Sequence, residues 1–199
     1  MLQVNDILDD VTSVVQDDSQ EFRSKILKWL NISIQQLAAE RDWIVLQKTA
    51  DSISVSDNKA SLPDDCAAVL TIAGDNFFLT RQKHHLTDEE ANSIGGINDN
   101  FPAGFVVTPD SIVFVPGATG SVDIKYLIDV PVYSEGQTTV FPARFRPILM
   151  RSCLDFCYEY DMDERTALSQ GLDRAEMYRL KSWDNRLKPK PKHSKYLRG

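Results

Sequence analysis

Residues 18–43 read DSQEFRSKILKWLNISIQQLAAERDW, and the rest of the chain is best read outward from them. Phe22, Ile26, Trp29, Leu30, Ile34, Leu37 and Ala38 recur at the three- and four-residue spacing of one helix face. Arg23, Lys25, Lys28, Gln35, Gln36 and Glu40 fall mostly off that face. Asp18 with Glu21 three residues on resembles a capping box, so the helix is expected to start at Asp18. The helical period fades at Asp42-Trp43.

Before this helix, Val4, Ile7, Leu8, Val11, Val14 and Val15 form a second apolar stripe, predicting a first helix. After Trp43 the period shortens. β-type runs are expected at 43–46, 69–72, 77–80, 105–108, 112–115 and 122–127, separated by turn-forming clusters such as Leu62-Pro63-Asp64-Asp65. A helical turn capped by Thr87 and Glu90 interrupts them. Helix returns after Phe141-Pro142, where Phe145, Ile148, Leu149, Cys153, Phe156, Cys157 and Tyr160 make a third stripe. A fourth helix is expected from about Glu164 to Arg186, with Leu168, Leu172, Ala175 and Tyr178 on one side. Pro189 and Pro191 then favour an extended tail.

The fold class this predicts is mainly α: an antiparallel helical bundle with an inserted β-rich region and an extended C-terminal tail. Residues 1–42 and 141–186 would form the helical bundle domain, 43–140 the inserted β-rich region, and 187–199 the basic tail. Trp29, Leu30, Ile34, Phe145, Leu149 and Phe156 are the expected core, and Trp29→Ala is expected to cost about 3 to 5 kcal/mol. Apolar residues beside the stripes, Leu27, Ile32, Met150 and Leu154, are candidates for contacts with other subunits or for further core.

The chain has 199 residues, 42% hydrophobic and 26% charged, in the range of a folded globular protein. No run approaches the roughly 20 apolar residues of a membrane span. The start lacks the basic and apolar regions of a signal peptide, and the three cysteines do not make a disulfide framework, so synthesis and folding in a cytoplasm are expected. Charge is segregated. Residues 186–199 hold six basic residues and no acid, whereas the remaining chain holds 16 basic and 29 acidic residues.

Catalytic patterns are missing from the sequence. It contains neither a glycine-rich phosphate loop nor a nucleophile elbow. His84 and His85 are adjacent, and on a strand they would point to opposite faces. Cys153 and Cys157 lie one helical turn apart on an apolar stripe, where core packing explains them. The acid pairs are explained by caps, turns and solvated faces. No catalytic residue, metal ligand or cofactor-binding residue is assigned, and no cofactor is expected.

Several motifs, in order, carry a resemblance. Ile26-Leu27-Lys28-Trp29-Leu30-Asn31 followed by Gln36-Leu37-Ala38-Ala39-Glu40-Arg41-Asp42-Trp43, then Ser61-Leu62-Pro63-Asp64-Asp65, Phe114-Val115-Pro116, Ile124-Lys125-Tyr126 and Phe141-Pro142-Ala143-Arg144-Phe145 resemble the head-to-tail adaptor, or tail accessory factor, family of short-tailed bacteriophages. The resemblance runs from the second helix to about Tyr160. It implies a non-enzymatic virion protein at the head-tail junction. It implies a ring of about twelve copies beneath the portal, extending the DNA channel and giving tail or nozzle proteins a platform. The implied partners are other copies, the portal protein and tail proteins, with DNA passing through without specific binding and no membrane. It also implies a C-terminal arm that docks on the portal, here Arg186, Lys188, Lys190, Lys192, Lys195, Tyr196, Leu197 and Arg198. Two other readings remain open: a virion-associated cell-wall hydrolase, and a nucleic-acid-binding module using the basic tail.

Overall fold

The computed structural model describes residues 1–93, 102–160 and 166–188. In chain order the elements are α1 (Val4–Val15), α2 (Gln20–Ala39), a 3-10 turn (Ile44–Leu46), β1 (Gln47–Ser56), β2 (Lys59–Ser61), β3 (Cys66–Gly74), β4 (Phe78–Thr80), α3 (Arg81–His84), α4 (Asp88–Ser93), β5 (Gly104–Val107), β6 (Ser111–Val115), β7 (Gly120–Ile128), a second 3-10 turn (Ala143–Phe145), α5 (Arg146–Tyr160) and α6 (Thr166–Leu187). They fall into two compact units, Met1–Val45 with Val130–Gly199, and Leu46–Asp129.

In the first unit α5 packs against α1, α2 and α6. The apolar stripes supply its interior. Val4, Ile7, Leu8 and Val11 of α1, Ile26, Leu30, Ile34 and Leu37 of α2, and Ile148, Leu149, Cys153, Leu154 and Cys157 of α5 are all buried. Each fully buried large aliphatic side chain contributes roughly 1.5–3 kcal/mol. Trp43 is fully buried, donates its indole N–H to the Leu37 carbonyl at 2.6 Å, and meets Phe145 edge-on at 5.2 Å. Phe145 in turn contacts Phe141 and Trp183. Residues 2–4 pair with 137–141 through Leu2 N–H to Phe141 O, Thr139 N–H to Leu2 O and Val4 N–H to Gln137 O.

Several expectations change here. Leu30, Ile34, Phe145 and Leu149 are buried as expected, but Trp29 and Phe156 are half-buried and stack on each other at 6.2 Å. α2 is capped by Ser19, whose Oγ accepts the Phe22 N–H at 3.3 Å, and not by Asp18. Asp17 instead accepts the Ser19 N–H, and that bond holds the Asp17 carboxyl below its ordinary range. On α6, Ala175 and Tyr178 face outward and Leu180 and Asp184 are buried, while the side chains of Leu168 and Leu172 lie outside the described residues. The run at 43–46 forms a 3-10 turn rather than a strand.

The second unit is a seven-stranded antiparallel sheet in the order β4-β3-β7-β1-β2-β6-β5. Its two edges are brought together: after β4 and α3, His85 forms a parallel bridge to Phe105 of β5, and Leu86 donates to the Phe105 carbonyl at 2.9 Å. The sheet therefore rolls into a nearly closed barrel, leaving little unpaired edge. Gly104 permits this closure, because a Cβ there would lie 2.6 Å from the His84 carbonyl oxygen. Ala60, Val69, Ile72, Leu79, Phe105, Ile112, Phe114, Val122, Ile124 and Tyr126 are buried.

This sheet overturns the mainly α fold class. The molecule is a mixed α and β protein, and an antiparallel helical bundle with an inserted β-rich region is not an adequate description. The shortfall lies in the hairpin of β1 and β2. Its strands are dominated by polar residues, and it turns at Asp57 and Asn58, both with positive φ (51° and 61°), the geometry of a two-residue hairpin turn. The β1 ladder to β7 also shifts register between Ala50 and Ile53, with Ser52 at φ 55° donating its N–H to Asp123. That irregularity breaks the alternation by which a strand is recognised.

Candidate interaction surfaces

Four of the motif residues are structural anchors, and their geometry explains why those residue types occur. Asn31 faces away from the core of α2. Its side-chain oxygen accepts the Tyr133 N–H at 2.7 Å and its amide donates to the Tyr133 carbonyl at 2.9 Å. One turn on, the Gln35 amide donates to the Val130 carbonyl at 2.6 Å. The chain from Val130 to Tyr133 is thus clamped along the outside of α2, with the Tyr133 hydroxyl accepting the Val140 N–H at 3.0 Å.

In the sheet unit, the Leu62-Pro63-Asp64-Asp65 turn closes with Cys66 N–H to Pro63 O at 3.0 Å. Asp65 then takes Lys48 Nζ at 2.6 Å and the Tyr126 hydroxyl at 2.8 Å. The Lys48 contact holds the Asp65 carboxyl below its ordinary range, while burial, and next the bond to Asp65, push Tyr126 up to about 12.

Arg41, from the same motif as Trp43, ends at a buried charge. Asp184 of α6 has no exposed surface. Its Oδ1 accepts the Ile44 N–H at 2.7 Å, and its Oδ2 lies 3.0 Å from both Arg41 Nη2 and Lys188 Nζ. Two cations and a backbone donor offset the cost of burying one carboxylate. Of the eight residues expected in a docking arm, Arg186 and Lys188 are described. Arg186 is exposed on the last turn of α6, whereas Lys188 is committed to Asp184. Lys190, Lys192, Lys195, Tyr196, Leu197 and Arg198 lie outside the described residues. A shallow cleft of about 520 Å³ beside this cluster is lined by Arg41, Tyr178, Lys181, Asn185, Arg186 and Lys188.

Another open surface is apolar. Leu27, Ile32, Val132 and Tyr133 line a groove of about 560 Å³ on the outer side of α2, with Ser24, Lys28, Asn31, Gln35 and Gln36 around it. Val132 is 77% exposed and Ile32 38%. Of the four apolar candidates read from sequence, Ile32 is exposed, Leu27 and Met150 are half-buried, and Leu154 belongs to the core. Val132 escaped the sequence reading because it stands in an irregular segment with no period. The tandem amides Asn31 and Gln35, facing outward on a helix, were the available signal.

The cysteines and two of the histidines have structural surroundings. Cys153 and Cys157 are buried, and burial first, then the neighbouring Cys157, pushes the Cys153 thiol well above its ordinary value, so it does not present a thiolate. His84 sits in a four-residue helix, its Nδ1 accepting the Thr80 N–H, and His85 packs edge-on against Phe105. Among the described residues no group of three or more His, Cys, Asp or Glu is placed to hold a metal. Asp155 and Glu159 share a depression of about 130 Å³, below the roughly 300–1,000 Å³ of ligand clefts. No helix among the described residues is long and apolar enough to cross a membrane.

Compared with known proteins, residues 2–189 match the family model described as SU10 adaptor protein. No curated protein matches the chain.

Proposed function

The chain belongs to the SU10 adaptor protein family, a family of bacteriophage adaptors, and from that premise we propose that it is a head-to-tail adaptor forming a ring beneath the portal. Membership implies a virion component that joins other phage head and tail proteins, and it supports a structural role. The match over residues 2–189 carries the proposal, because it takes in nearly the whole chain rather than a single motif.

In this reading the ring, of about twelve copies, extends the DNA channel and offers tail or nozzle proteins a platform. An acidic body suits a channel, since it repels phosphates and lets DNA pass without gripping it. The arm running from Arg186 and Lys188 into Lys190, Lys192, Lys195, Tyr196, Leu197 and Arg198 docks on the portal. Its charge is opposite to that of the body, and multiple arms around a ring gain strength from acting together.

The deciding measurement is the mass of the purified protein, alone and mixed with its portal, by light scattering. A multi-copy species co-eluting with portal is the expected result. A single copy in both conditions, with no portal bound, would overturn the ring.

A further inference from the structure

We infer that the apolar groove on the outer side of α2 receives α1 of a second copy, with Val14 seated between Ile32 and Val132 and the acids that follow it meeting Lys28. The inference rests on the ring proposed above and names the surfaces that would build it.

The groove is a constructed feature. Asn31 and Gln35 spend their amides on the backbone of residues 130–133, which fixes Val132 outward beside Ile32 and Leu27. Both amides are spent on the Val130–Tyr133 backbone, and Leu27, Ile32 and Val132 supply the apolar part of the groove. An apolar groove rimmed by polar residues is the form an interaction surface takes.

Charge selects the occupant. Lys28 is the one charged residue lining the groove, and it has no ion-pair partner among the described residues. Residues 1–22 hold six acids and no basic residue. Asp9 and Asp10 are paired with Arg23 and Arg146 of the same copy. Asp18 is exposed and has no such partner among the described residues, and Asp17 is exposed next to it. Just before them Val14, expected on the apolar stripe of α1, is instead 47% exposed and off the buried face. An apolar knob followed by carboxylates complements an apolar groove rimmed by an ammonium. The two surfaces are different, so the contact is head-to-tail and propagates from copy to copy, as a ring requires.

The test compares the assembled mass, with and without portal, of the full chain and of Ile32→Asp, Val132→Asp and Lys28→Glu. Melting temperature serves as the folding control, which these exposed sites should pass. The expected result is that each aspartate variant needs about tenfold or more protein to assemble. Lys28→Glu should weaken assembly, and adding Asp18→Lys should restore it. Normal assembly of both aspartate variants would overturn the inference and leave the ring standing. Failure of Asp18→Lys to rescue Lys28→Glu would overturn α1 as the occupant. A full chain that never assembles, even with portal, would overturn the ring and the inference together.

Discussion

Asp184 is committed to charge pairing inside the helical unit. It is a fully buried carboxylate whose partners, Arg41 and Lys188, are themselves partly exposed. Asp184→Ala would leave Arg41 facing the interior without its counter-charge and the Ile44 N–H without its acceptor. Breaking a buried ion pair costs about 3–5 kcal/mol. Solvent around both cations puts the expected loss at the lower end of that range, read as a lowered urea midpoint. An unchanged midpoint would show that the pair contributes nothing. Trp29, by contrast, is half-buried, so its truncation should cost less than the 3 to 5 kcal/mol expected for a full core residue.

Tyr126 allows a pH test at the same scale. Its folded value of about 12 lies above the ordinary 10, because burial and the bond to Asp65 disfavour the phenolate. The folded state therefore holds the proton longer than the unfolded chain. Tyr126 contributes stability that is fully present below pH 10 and is lost as pH rises toward 12. Tyr126→Phe should be less stable at neutral pH, and its stability should fall less steeply between pH 10 and 12 than that of the unaltered chain. Equal slopes in urea unfolding across that window would refute the assignment.

At the scale of elements, the start of α2 separates two readings of the sequence. The aspartate at 18 and the glutamate at 21 have capping-box spacing, yet Ser19 occupies the cap position and its hydroxyl meets Phe22 N–H. A serine between two acids is easily passed over, because all of these residue types favour caps and one-residue shifts are invisible to periodicity. Ser19→Ala should cost about 1 kcal/mol, whereas Asp18→Ala should change stability little. Chemical denaturation of both variants decides, and a larger loss for Asp18→Ala would return the cap to Asp18. The turn at Thr87 matches its expectation in full: Thr87 N–H donates to Glu90 at 2.8 Å, and Glu90 N–H donates back to the Thr87 hydroxyl at 3.3 Å.

For the whole molecule, the Lys188–Asp184 pair sets where the arm can be cut. Removing Arg186 to Gly199 would strip Asp184 of one of its two cations and confuse folding with docking. Deleting residues 189–199 keeps that pair. The truncated protein should melt at the same temperature as the full chain and fail to co-sediment with portal at moderate salt. Normal co-sedimentation would reduce the segment to a solubilising end.

The sequence by itself determined whatever depends on local repetition. The stripes of α1, α2 and α5, the alternating strand β7, and the Thr87 cap are read from spacing, because backbone geometry fixes which side chains share a face. The ordered motifs were enough to indicate the adaptor family, which the match over residues 2–189 shows. Tertiary structure decided what needs partners distant in the chain. The polar strands β1 and β2 are strands because β7 and β6 complete their ladders, and the sheet rolls nearly closed because β5 returns to His85. Asp184 is interior because Arg41, more than a hundred positions earlier, meets it there. Val132 is exposed where Asn31 and Gln35 hold the backbone on either side of it, at Tyr133 and Val130, against a helix. None of these leaves a period in the sequence, since a long-range hydrogen bond or ion pair constrains two residues and nothing between them.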